Sequence, residues 1–302
     1  MRGPAYYCSR AADYNQPAST QDETCSAPNR IRRSLMIDLH SHLIPAVDDG
    51  SSDLEMSVEM ARLAVADGVD VMACTPHITP GVYDNRATEI VSQTAALQQE
   101  FDHRKIPLRL VTGADVHATP DIVTGLTDGR IPTLGNTRYF LFEPPHHVLP
   151  PGLEELASTL LKRGLVPVLT HPERLSWIEK RYDMICALDE LGCAVQLTAA
   201  SVTGRFGSRP LYWSERLLDE GRVDILASDA HNASRRPPGL KEAADCVARR
   251  LSEEAAIDMV ESNPSLMLAD RPLPEKVRRE VQVEPPKESK SGMGRIKRWL
   301  GR

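Results

Sequence analysis

From Met36 onward the chain alternates short, predominantly apolar runs with longer amphipathic stretches. The apolar runs are Met36–Leu39, Val69–Cys74, Leu108–Thr112, Tyr139–Phe142, Leu165–Leu169, Ala194–Leu197 and Val223–Ala227. Each is too short for a buried helix and rich in β-branched or aromatic residues, so each reads as a parallel strand covered on both faces. The stretches Asp53–Asp67, Thr88–Phe101, Leu153–Arg163, Met184–Leu191 and Trp213–Glu220 carry helical periodicity, and several end in glycine (Gly68, Gly164, Gly192, Gly221) just before the next strand. Glycine just past a helix end is a stop signal. Repeated strand–helix units imply an α/β fold on a parallel sheet. About seven such units closing on themselves make a TIM-like barrel with one unit missing, and an open doubly wound sheet is the alternative.

Length and composition set the frame. The 302 residues hold one domain of roughly 250 residues plus tails. The pattern delimits an extension at 1–35, a domain at 36–270 and a tail at 271–302. The first 35 residues are rich in Ser, Asn, Gln, Pro and Arg with no apolar core, so they read as disordered and not as a secretory signal. Met36 stands directly before the first strand and is read as the natural start. The tail opens with a linker rich in Pro, Lys, Arg and Glu. It ends in the basic segment Gly294–Arg302, whose Ile296, Trp299 and Leu300 lie at helical spacing. Such a segment suits weak peripheral contact with an anionic membrane, although it is too short to hold a helix alone.

A net charge of −6 gives no reason to expect nucleic acid as a partner. None of the six cysteines forms a C-x-x-C pair, which fits free thiols in a reducing cytoplasm. No apolar stretch reaches the roughly 20 residues that span a bilayer. Oligomeric state is not legible.

The informative feature is the residue type at the end of each apolar run. The first strand ends in His40-Ser41-His42, the second in Thr75-Pro76-His77, and the third in Gly113-Ala114-Asp115. The fourth ends in Glu143, the fifth in His171, and the seventh in Ser228-Asp229-Ala230-His231. The sixth, ending near Thr198, brings no ionisable residue. In a barrel the C-terminal strand ends converge on one mouth. Carboxylates crowded there would repel each other, and bound cations remove that penalty. His40 and His42 share a strand face, as do Asp229 and His231. With His77, His171, Asp115 and Glu143 they give eight N/O donors, and Asp49 in the Asp48-Asp49-Gly50 turn makes a ninth. That set suits two or three divalent ions, and the absence of cysteine favours Mn, Fe, Zn or Mg over a soft metal. A lone His-x-His or Asp-Asp-Gly would mean little; donors at six strand ends mean a metal centre. His103, His146 and His147 lie in loops and are read as solvated, while His117 shares a face with Asp115. Arg174 and Arg236, just past metal-bearing strand ends, suit bidentate docking of a phosphate, and Arg235 competes with Arg236 for that role. No Cys-x5-Arg motif suggests a covalent phospho-enzyme.

These residues resemble the PHP (polymerase and histidinol phosphatase) family, and within it the metal-dependent tyrosine phosphatases of bacterial capsule and exopolysaccharide systems. The resemblance runs through Ile37–His42, Val47–Ser51, Thr75–His77, Thr170–Arg174, Ser228–Asn232 and Arg236–Pro238, in that order. It implies a distorted (β/α)7 barrel and a trinuclear centre, commonly of manganese. By the same resemblance His40, His42, Asp49, His77, Glu143, His171, Asp229 and His231 are ligands, and Arg174 and Arg236 bind phosphate. Asp229 or His231 assists proton transfer to the leaving group. The implied substrate is protein phosphotyrosine on the tail of a bacterial tyrosine kinase. One departure stands out: Asp115 occupies the place of a bridging glutamate, one methylene shorter. The alternatives are a PHP phosphatase for a small phosphoester such as histidinol phosphate, or a regulatory protein weakened by that aspartate.

Overall fold

The computed structural model describes residues 35–279. The sequence readings of the N-terminal extension, apart from Leu35, and of the basic C-terminal segment lie outside the described residues. Among the described residues ten strands occur in chain order: β1 (Met36–Asp38), β2 (Val69–Cys74), β3 (His77–Thr79), β4 (Tyr83–Asp84), β5 (Arg109–Thr112), β6 (Asp115–His117), β7 (Tyr139–Glu143), β8 (Val166–Thr170), β9 (Ala194–Thr198) and β10 (Ile225–Ala227). The expected helices form at Leu54–Asp67, Ala87–His103, Leu153–Lys162, Tyr182–Leu191 and Ser208–Asp219. The fold is therefore α/β with a parallel sheet.

Local chemistry explains the boundaries. Asp53 caps the first helix by accepting from Met56 N–H at 2.9 Å, which satisfies one of the orphan donors at a helix start. Gly68 ends it at φ 101°, a left-handed conformation that costs glycine nothing.

Strand pairing falls into two sets, β1-β2-β5 and β10-β9-β8-β7-β6-β3-β4. Every pair is parallel except β3 with β4. The runs Val69–Cys74 and Leu108–Thr112 form β2 and β5, and each is followed, after a break, by a further short strand that the sequence reading did not include. The β2 run breaks at Thr75-Pro76 and resumes as β3; the β5 run breaks at Gly113-Ala114 and resumes as β6. Proline donates no ladder hydrogen bond, so a break there is expected. Gly113 N donating to Cys74 O (2.9 Å) and Asp115 N to Pro76 O (3.1 Å) carry the pairing across both breaks. At the far end, Asp229 N donates to His40 O (2.9 Å) and His42 N to Ala230 O (2.8 Å). These bonds join the chain just past β1 to the chain just past β10 through a parallel bridge at Ser41 and Ala230.

The strands are buried on both faces. Met72, Phe140, Phe142, Leu169, Leu197 and Leu226 pack with the helices. Ile37, Val71, Tyr139, Leu141, Val168 and Ile225 form a separate apolar group with Leu134 and Met267. The C-terminal ends of the strands remain, and there the polar residues are buried.

Residues 271–279, which composition assigns to the linker, are held at the N-terminal ends of the last strands. Lys276 Nζ lies 2.6 Å from Asp189 and 2.5 Å from Asp224, both buried. Arg278 Nε lies 2.6 Å from Asp189, and Arg279 N donates to Glu220 O at 3.0 Å. Among the described residues, no helix is long and apolar enough to cross a membrane.

Candidate metal centre

The strand ends bring all nine sequence-selected donors together. His40 Nε2 and His42 Nε2 lie 3.3 Å apart. Asp115 Oδ2 is 3.4 Å from both His40 Nε2 and His77 Nδ1. Glu143 reaches His77 Nδ1 at 3.5 Å through one oxygen and His171 Nε2 at 3.6 Å through the other. Asp49 Oδ1 stands 3.5 Å from both His77 Nε2 and His231 Nε2. Asp229 Oδ1 faces His40 Nε2 at 3.5 Å and His42 Nε2 at 3.4 Å. These contacts resolve into overlapping groups of three or four donor atoms, each group within 4.8 Å. His40, His42, His77, Asp115, Glu143 and His171 each occur in two groups, and of these Asp115 and Glu143 are carboxylates, the ligand type that can bridge. Asp115 in particular belongs to both the His40–His171 group and the His77–Glu143 group.

Backbone bends aim two of these side chains. His171 adopts φ 36° and Asp229 φ 52°, left-handed values that non-glycine residues seldom take. The turn carrying Asp48 and Asp49 is pressed against the first strand end at Gly50, where a Cβ would meet His42 Cβ at 2.3 Å and His42 O at 2.4 Å. Only glycine fits that approach.

The donor set suits cations. His77 Nδ1, His171 Nδ1, His231 Nε2 and both oxygens of Asp115 are buried without a hydrogen-bond partner, and such atoms are costly unless something charged or polar meets them. Burial is the largest influence on His77, His171 and His231 and holds each below the usual imidazole range, so each keeps the lone pair a metal ligand needs. Burial alone would raise Asp115 and Asp229. The surrounding imidazoles, with Arg236 and Arg174 for Asp229, hold both carboxyls below their ordinary value. At His42 burial opposes charge, yet Asp229 and Asp48 push the imidazole up to about 10. The field at this point strongly attracts positive charge.

Both arginines enter the same constellation. Arg174 Nη1 and Arg236 Nη2 (2.5 Å) donate to one oxygen, Asp229 Oδ2. Asp229 thus faces the imidazoles with one oxygen and the guanidinium groups with the other. Arg236, and not its exposed neighbour Arg235, is the one turned inward.

A family model described as "Capsular polysaccharide synthesis, CpsB/CapC" matches residues 36–269. The chain belongs to the CpsB/CapC family. Tyrosine-protein phosphatase YwqE of Bacillus subtilis (strain 168) is 33% identical over 236 residues, 78% of this chain and 92% of that protein. The putative tyrosine-protein phosphatase CapC of Staphylococcus aureus is 30% identical over 207 residues, 68% of this chain and 81% of that protein. A solved structure from work on YwqE of Bacillus subtilis and CpsB of Streptococcus pneumoniae, described as unique metal-dependent tyrosine phosphatases, superposes with a TM-score of 0.76. It is 32% identical and covers 81% of this chain and 100% of that one.

For this CpsB/CapC member, sequence reasoning missed three participants. His146, read as solvated, is half-buried with Nε2 3.7 Å from Glu143 Oε1 and its ring 5.0 Å from that of His171. The loop after β7 folds back over the site, which periodicity does not report. Gln196, on the strand that seemed to bring nothing, sets His40 by placing Oε1 2.9 Å from Nδ1. Asp48 does the same for His42 at 2.7 Å. These contacts leave Nε2 of His40 and His42 facing the cluster, which is how ligating histidines are commonly oriented. His117 stays at the edge, Nδ1 3.9 Å from Glu143 Oε2.

Proposed function

We propose that this chain is a metal-dependent phosphomonoesterase acting on protein phosphotyrosine. One observation carries the reading: overlapping donor groups lie directly beside two arginines that converge on a shared carboxylate. The bonds between the ends of β1 and β10 support a distorted seven-stranded barrel with this cluster at its mouth.

On this reading His40, His42, Asp49, His77, Asp115, Glu143, His171, Asp229 and His231 hold three divalent ions, manganese before iron, zinc or magnesium. Such ions, when bound, supply Lewis acidity toward the phosphate oxygens and a nucleophile at neutral pH. Arg174 and Arg236 bind the phosphate and neutralise charge on the transferring group. Arg236 Nε is buried without a partner, which leaves a donor for a phosphate oxygen. Asp229 or His231 assists proton transfer to the leaving phenolate. The substrate by this proposal is the phosphorylated tail of a tyrosine kinase that controls capsule or exopolysaccharide export, met in the cytoplasm.

The test is phosphate release from a phosphotyrosine peptide after metal removal and refilling, run in competition with histidinol phosphate. Release that depends on refilling and is little affected by the competitor is expected. Efficient turnover of histidinol phosphate with none of the peptide overturns the proposal in favour of a small-molecule phosphatase.

A further inference from the structure

The donor cluster is bordered on one side by the β3–β4 hairpin. Its first residue is His77, and near its turn Tyr83 stacks on that same ring, with centroids 5.7 Å apart and planes 14° from parallel. The hairpin is fixed. Val82 N donates to Thr79 O at 2.9 Å, and Asn85 Nδ2 donates to His77 O (2.9 Å) and to Val47 O (3.1 Å), tying it to the turn that carries Asp48 and Asp49. Tyr83 therefore stands at a set position beside the cluster and is half-buried.

Two exposed apolar side chains lie in loops near the donor-bearing strand ends. Val82, next to Tyr83, is 68% exposed. Val148, in the loop that brings His146 to Glu143, is 65% exposed. Both belong to loops that directly follow donor-bearing strands. A phosphate is satisfied by cations and N–H donors; an aryl group attached to it needs a hydrophobic, preferably aromatic, surface one ring away.

We propose that Tyr83 is a specificity-determining residue that receives the aromatic ring of an aryl phosphomonoester, while the phosphate lies at the donor cluster. This rests on the phosphatase reading above and adds the group that selects a phenolic over an aliphatic phosphoester. Tyr83 acts through its ring and not its hydroxyl.

The test compares phenylphosphonate with methylphosphonate as competitive inhibitors of the metal-loaded full chain. Wild type is expected to prefer the phenyl compound. Tyr83→Ala should reduce that preference about tenfold, Tyr83→Phe should keep it, and Tyr83→Leu should fall between. Inhibition by inorganic phosphate and bound-metal content should match wild type in all three variants. An unchanged preference in Tyr83→Ala, its loss in Tyr83→Phe, or no preference in wild type overturns the role of Tyr83. Wild type that prefers phenylphosphonate yet releases no phosphate from phosphotyrosine peptide overturns the proposed function alone.

Discussion

The Asp48 carboxylate braces the His42 imidazole from behind, Oδ2 lying 2.7 Å from Nδ1. The same oxygen accepts from the backbone N–H of His77 at 3.0 Å, so one buried group fixes two of the candidate ligands. Removing it frees the His42 ring to turn and leaves its tautomer unset. Asp48→Ala is expected to lower metal affinity by about 10- to 100-fold without unfolding the chain, measured by titrating the loaded protein with a chelator. Wild-type affinity in this variant would mean that His42 is not a ligand.

Arg174 and Arg236 donate to the same oxygen of Asp229. Each guanidinium is thereby aimed before substrate arrives. Arg174→Ala and Arg236→Ala should each keep their metal and lose about 10²- to 10³-fold in kcat. The double variant should lose less than the product of the two, because the groups act on one charge. Metal loss on removing either arginine would show a structural role instead.

Glu173 gives a pH-dependent stability. It is fully buried, its Oε1 accepting from Thr198 N–H at 3.1 Å, and burial pushes its carboxyl from an ordinary 4.5 up to about 7. A carboxyl raised on folding keeps its proton more readily in the folded chain. Its stabilising contribution is complete below pH 4.5 and is lost as pH climbs through about 7. Glu173→Gln keeps the acceptor and removes the titration. In metal-free protein it should exceed wild type at pH 8 by up to about 3 kcal/mol and match it near pH 4. Denaturant unfolding at the two pH values measures this; an equal gap at both would rule out the titration.

Lys276 places its ammonium between Asp189 and Asp224. Lys276→Ala leaves those buried carboxylates facing each other with less positive charge. A loss of about 3 kcal/mol in unfolding free energy is expected, with kcat per folded molecule unchanged because the contact lies at the strand ends remote from the metal centre. A variant as stable as wild type would show residues 271–279 to be dispensable.

Much of the fold and site is legible in the sequence because two kinds of signal coincide. Apolar runs such as Val69–Cys74 and Ala194–Leu197 mark strands by burial, and the charged residue that ends a run is placed by the fold itself. His77 and Asp115 are found that way even though Pro76 and the Gly113-Ala114 pair split their strands. Side chains that act from behind are not legible. Gln196 carries no charge to draw notice inside an apolar strand. Within Asp48-Asp49 nothing in the sequence says which carboxylate turns inward and which toward solvent. His146 reaches the site only because its loop folds back, and Lys276 looks like linker because its partners lie 87 and 52 residues away.

The left-handed backbone at His171 and Asp229 has a practical meaning for anyone altering this chain. Such conformations cost on the order of 1 kcal/mol or more each, and they persist at two of the candidate ligand positions. Selection for thermal hardness and selection for catalysis therefore pull in opposite directions at these two places. A tougher variant should be sought anywhere else along the strands, and a screen read only by melting temperature would reward the changes that silence the enzyme.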